Sequence, residues 1–231
     1  MSARRGVRTG IEWRDIYDDP ADWASRHHCA EALDTYFRAQ LTAPDPNLGR
    51  DGPVCPFVRR AITEHTLWAS VVPGEPTADA MAEAVDDAVE VYREVDAGAE
   101  RPRIMAVVTV FPDLTGYESI DAAHLARKSG VVERGLMLGQ FYPGCAVSGL
   151  WNRDFHPLDA PLPMLVIRKM MSTDFPFLAA RSEWLYAYFS TVAPDLPRRL
   201  RRSMSELLRV DATAADAVTD LRQHSSGEHA R

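Results

Sequence analysis

The run Ile104-Met-Ala-Val-Val-Thr-Val-Phe111 constrains this chain more than any other segment. It carries no charge and is rich in β-branched side chains, which suit a pleated backbone. A strand apolar at consecutive positions must be covered on both faces, so the run predicts a central strand with other layers packed against it. Shorter stretches at Thr66 to Val72, Leu136 to Tyr142 and Met164 to Ile167 predict further strands. Helical spacing supplies the covering layers. From Pro76 to Ala97, Met81, Ala84, Val85, Ala88, Tyr92 and Val95 fall on one face.

An earlier amphipathic stretch begins at Asp19-Pro20 and reaches Leu41, with Trp23, His27, Ala30, Leu33, Phe37 and Leu41 on its apolar side. Ser119 is placed to cap a helix running to Glu133. Asp174 with Pro176 opens another, carrying Phe177, Trp184, Leu185 and Tyr188, and Asp195 with Pro197 opens the last. Strands and helices do not alternate strictly. The expected fold is therefore α+β, a small mixed or antiparallel sheet of about four to five strands with helices packed on it. Residues 19–210 read as a single domain, preceded by an N-terminal arm at 1–18 and followed by a mobile tail at 211–231, where the composition turns to Ala, Asp and Ser.

Composition then removes several function classes. The formal charge of −7 over 231 residues argues against nucleic-acid binding, which needs a basic surface. Arg198, Arg199, Arg201 and Arg202 do cluster, but at helical spacing that reads as a solvated helix face. No apolar run approaches the length of a membrane span and no secretory signal opens the chain, so a cytoplasmic protein with no membrane partner is expected. Three cysteines are too few for a disulfide framework. Gly49-Arg-Asp-Gly52 does not follow a strand, as a phosphate loop would. Neither a Gly-x-Ser-x-Gly elbow nor a His-x-x-x-His or Cys-x-x-Cys pair is present.

Two segments concentrate residues for which a core has little use. One is Leu48-Gly-Arg-Asp-Gly-Pro-Val-Cys-Pro-Phe-Val-Arg-Arg60, which belongs to a loop stiffened by four prolines between Thr42 and Pro56; the other runs from Gly144 to Pro163. Cys55 precedes a proline, so its backbone is held extended and its sulfur is aimed. That suits an iron ligand, a nucleophile activated by Arg59 and Arg60, or a small buried anchor. His156 precedes Pro157, with Asn152, Arg153 and Asp154 just upstream, and reads as a metal or heme ligand, a proton carrier or a backbone-bonded loop residue. Arg168, at the end of an apolar strand, fits either a carboxylate or propionate clamp or an ion pair with Asp174.

The two segments, Leu48 to Val58 and Gly149-Leu-Trp-Asn-Arg-Asp-Phe-His-Pro-Leu158, are followed by Pro-Leu-Pro-Met-Leu-Val-Ile-Arg168 and Asp-Phe-Pro-Phe-Leu178. Together they resemble a bacterial family of unknown function found near natural-product genes, across roughly residues 45 to 190. A more distant similarity is to the heme-dependent guanidine N-hydroxylases of guanitoxin biosynthesis. That resemblance implies a heme-dependent oxygenase or N-hydroxylase acting on a small polar metabolite. It makes His156 the axial iron ligand; on the reading of the residues themselves, Arg168 or Arg59 would hold a propionate or substrate carboxylate, and Cys55 and Asn152 are further catalytic candidates. The alternative expectation is a non-catalytic binding protein whose two proline-rich loops form a small-molecule pocket or a homodimer contact.

Overall fold

A computed structural model describes residues 3–98 and 103–210 of the chain. The fold is α+β. Its mixed sheet has six strands, β1 (Ala3–Arg5), β2 (Glu12–Asp15), β3 (Leu67–Val71), β4 (Ala106–Val110), β5 (Leu136–Phe141) and β6 (Met164–Lys169), in the order β1-β2-β3-β4-β6-β5. Among the described strands, β3 and β4 are the pair that runs parallel. The strands β1, β2 and β3 pair antiparallel, as do β4 with β6 and β6 with β5.

The uncharged run at 104–111 becomes β4 and is covered on both sides, as its composition requires. Val107 and Phe111 join a core with α4 (Ala78–Ala97) and α5 (Glu118–Glu133), while Val108 and Val110 face α1 (Pro20–Arg26), α2 (Ala30–Thr35) and α3 (Val58–Thr63). Thr77 caps α4 by accepting the Ala80 N–H at 3.2 Å. Of the α4 face expected inward, Met81, Ala84, Val85, Ala88 and Tyr92 are buried and Val95 partly so. A third cluster joins α6 (Phe175–Leu178), α7 (Ser182–Val192) and α8 (Arg198–Leu207) to Met137 and Met170.

Four expectations are corrected. The sheet has six strands rather than four to five, because residues read as an N-terminal arm form β1 and β2. These strands span three and four residues, too short for periodicity to register, yet they bring in the fully buried Trp13. The amphipathic stretch at 19–41 is not one helix: the backbone turns extended at His27, and the chain resumes at α2 before a π-helical turn over Tyr36–Gln40. Arg59 and Arg60 belong to helix α3 rather than to a loop. The helix opened by Asp174 stops at Leu178 and restarts at Ser182. The expected tail at 211–231 lies outside the described residues. Among the described residues no helix is long and apolar enough to cross a membrane.

Candidate functional site

Since β4 and β5 both run antiparallel to β6, the strands β3, β4 and β5 point the same way and their carboxyl ends share one end of the sheet. In open sheets that end gathers the loops able to bind ligands. Both motif segments lie there. Val54, Cys55, Val71, Phe141 and Leu162 all pack against the same buried cluster. Asn152 Nδ2 donates to the Asn47 carbonyl at 2.8 Å, and Asn152 Oδ1 accepts the Asp154 N–H at 3.0 Å. Gly49 has φ +77°, and a Cβ there would stand 2.7 Å from the Trp151 carbonyl oxygen. Only glycine permits this approach. The two segments are thus docked on each other, and Asn152 is the staple between them.

Cys55 is half-buried, and its N–H donates to the Leu41 carbonyl at 2.9 Å. Tyr36, close enough to feel the Cys55 sulfur electrostatically, is 3% exposed, and its hydroxyl has no partner among the described residues. Burial pushes the Tyr36 phenol up, helped by Cys55 and then Asp159, so it stays protonated. His156 is half-buried, and its carbonyl accepts the Asp159 N–H at 3.1 Å. Exposed Arg59 donates to the Thr42 carbonyl at 3.3 Å. All three cysteines are free. Among the described residues no three His, Cys, Asp or Glu side chains converge as a metal-ion site.

Arg168 is elsewhere. Its guanidinium holds both oxygens of Asp174 at 2.7 Å, and Asp174 is 2% exposed. It lies near the far end of β6; four residues from Met164, at roughly 3.3 Å each, put it about 13 Å along the strand from the end where the His156 loop enters. The geometry therefore brings Cys55, Asn152 and His156 to one end of the sheet and Arg168 to the other.

The same loop-bearing end holds a cavity that the sequence reading missed. Strands β2 and β3 pair only at Arg14↔Ala69 and Asp15↔Trp68, and beyond Ala69 they part. In the fork, roofed by α1, is a cavity of about 310 Å³. Its walls carry five carboxylates, Glu12, Asp15, Asp18, Asp19 and Asp22, against two guanidiniums, Arg14 and Arg26. Arg14 Nε donates to Glu12 at 2.7 Å and Arg26 Nη2 pairs with Asp22 at 2.7 Å. Asp15 accepts the Tyr17 and Leu67 N–H groups at 2.8 and 3.1 Å, while burial raises its pKa.

Trp23 and His27 form the aromatic wall, their rings 4.2 Å apart. Burial, then the neighbouring Arg26 charge, lowers the His27 pKa and favours a neutral ring. The Trp23 indole N–H has no partner among the described residues. The alternation Ile11-Glu-Trp13-Arg14 is the one local trace of this site, too short to establish a strand and broken at Asp15.

No curated protein and no solved structure matches the chain. A family model does match, over residues 30–203, a span that contains both docked motif segments and begins after α1. On that match, the chain belongs to the family described as a domain of unknown function, DUF6875.

Proposed function

We propose that the protein binds a small cationic metabolite in the fork between β2 and β3. What carries this reading is the excess of carboxylates over guanidiniums around one cavity, backed by an aromatic wall able to stack on a cation. An ammonium or guanidinium group gains from each unneutralised carboxylate, and the low-dielectric walls of a cleft concentrate that field.

Calorimetric titration with agmatine, a dication, and with adipate, a dianion of similar length, tests the charge preference. Agmatine is expected to bind at least about tenfold more tightly, a difference near 1.4 kcal/mol. Asp18 is exposed and no hydrogen bond to its side chain is described, so Asp18→Asn should leave the fold intact and weaken agmatine about fivefold by loss of one charge. Equal affinity for adipate, or no binding of either compound, defeats the proposal.

A heme-dependent oxygenase at the docked loops fits less well. A macrocycle between the segments would have to break the Asn152–Asn47 hydrogen bond and part Gly49 from Trp151. Arg168, the expected propionate holder, is committed to Asp174. Hemin titration followed by visible absorption is accordingly expected to give no saturable Soret band. A band saturating at one heme per chain and shifting in His156→Ala would restore the oxygenase reading in place of ours.

A further inference from the structure

The amino ends of β3, β4 and β5, opposite the fork cavity, hold a second recess. It has a volume of about 390 Å³ and opens between the last turns of α4 and α5, the start of β5, the end of β6 and the face of α7. Three cations line it, Arg93, Arg134 and Lys169, with two carboxylates, Asp96 and Glu133. Arg134 is the C-cap of α5, where a cation offsets the negative pole of the helix. Arg134 spends one donor on the Gly130 carbonyl at 2.6 Å, and Arg93 pairs with Glu90 at 3.5 Å. Lys169 is exposed, and no hydrogen bond of its ammonium is described.

Tyr92 gives the recess its chemical direction. It also lines the space, it is 2% exposed, and its hydroxyl has no partner among the described residues. Burial, and then the charge of Asp96, raise its pKa, so the phenol is a neutral O–H donor. Buried hydroxyl donors are normally satisfied, and one with no described protein partner in the wall of a cationic cleft calls for an acceptor. Water can fill that role, but only an anion also uses the surrounding guanidinium and ammonium groups.

We propose that this recess binds a small metabolite through an oxyanion, a phosphoryl or carboxylate group that accepts from Tyr92 and pairs with Lys169 and Arg134. The site is independent of the fork cavity, which lies at the other end of the sheet and carries the opposite charge excess. It gives the domain two small-molecule sites of complementary preference.

Amide-resolved NMR titrations of the full chain with inorganic phosphate and, separately, succinate test this, with sodium chloride at matched ionic strength as reference. Saturable shifts around Tyr92, Gly135 and Lys169 are expected with one or both anions, and the stronger of the two identifies the oxyanion. Lys169→Ala with Arg134→Ala should weaken binding at least about tenfold, and Tyr92→Phe about threefold. Because no described protein group accepts from the Tyr92 hydroxyl, Tyr92→Phe should leave unfolding stability unchanged or raised, a readout a merely structural tyrosine would not give. Shifts no larger than those with chloride, or affinity retained in Lys169→Ala/Arg134→Ala, overturn the proposal.

Discussion

Replacing Arg168 by alanine is expected to cost about 3 kcal/mol of stability, because it strands a buried carboxylate. Asp174 is 2% exposed, and both of its oxygens are held by Arg168 at 2.7 Å; its one other described donor is the Met171 N–H, also at 2.7 Å. Urea unfolding measures the loss. The double variant Arg168→Met/Asp174→Asn should lose much less, since no charge is then left unpaired in the core. If Arg168→Ala unfolds like the wild type, the pair has no structural role and Arg168 is free for a ligand.

The same substitution should alter the alkaline limb of stability. Lys128 is pushed down to about 8 by burial first and by the Arg168 charge second, with Asp174 opposing. Between that value and the ordinary lysine value of 10.5 the unfolded chain binds more protons than the folded one, so stability rises with pH across this window. Removing Arg168 lifts the Lys128 pKa and narrows the window. The rise in urea midpoint between pH 8 and pH 10 should shrink in Arg168→Ala.

Asp87→Ala should be comparably damaging, at about 2–3 kcal/mol. This α4 carboxylate is 1% exposed and is the anchor of the β1–β2 hairpin. It accepts the Thr9 N–H and hydroxyl at 2.8 Å each, and the Arg8 N–H and guanidinium at 3.2 Å. The turn rides so closely that a Cβ on Gly6 would stand 2.3 Å from Asp87 Oδ2. Burial acts to raise the Asp87 pKa, but the donors of Thr9 and Arg8 together hold it below the ordinary value of 3.8.

A depressed carboxylate stabilises above its unfolded pKa and loses that contribution as pH falls through the folded one. Wild-type stability should therefore drop below about pH 4 by an amount that Asp87→Asn lacks. Because β2 carries Glu12, Arg14 and Asp15, a loosened hairpin should also weaken agmatine binding in the fork. Full stability in Asp87→Ala at pH 7 would show that the hairpin is held by sheet pairing alone.

Local pattern carried a large part of the fold. The uncharged run at β4 announced a strand covered on both faces, and the 3.6-residue spacing of Met81, Val85, Ala88 and Tyr92 announced which side of α4 faces inward. Such properties depend on neighbours in the chain, so periodicity records them. The strands β1 and β2 escaped because they are held by Trp13 burial and by Asp87, seventy-eight positions away from Thr9, rather than by a pattern of their own.

The candidate sites divide along the same line. The unusual loops around Cys55 and His156 were visible as proline-stiffened segments, and the tertiary structure joins them through Asn152 and Asn47. That Arg168 sits at the opposite end of the strand from the His156 loop was legible in chain order, since that loop enters β6 at Met164; that Asp174 holds it depends on how the chain turns after β6. The convergence of Glu12, Asp15, Asp18 and Asp22 depends on two strands that part after two paired residues, with a helix closing over the gap. Which faces must be buried was legible along the chain, because burial follows side-chain chemistry along a local repeat. Which charges share a space was settled by the fold, because strand pairing and register are set between distant residues.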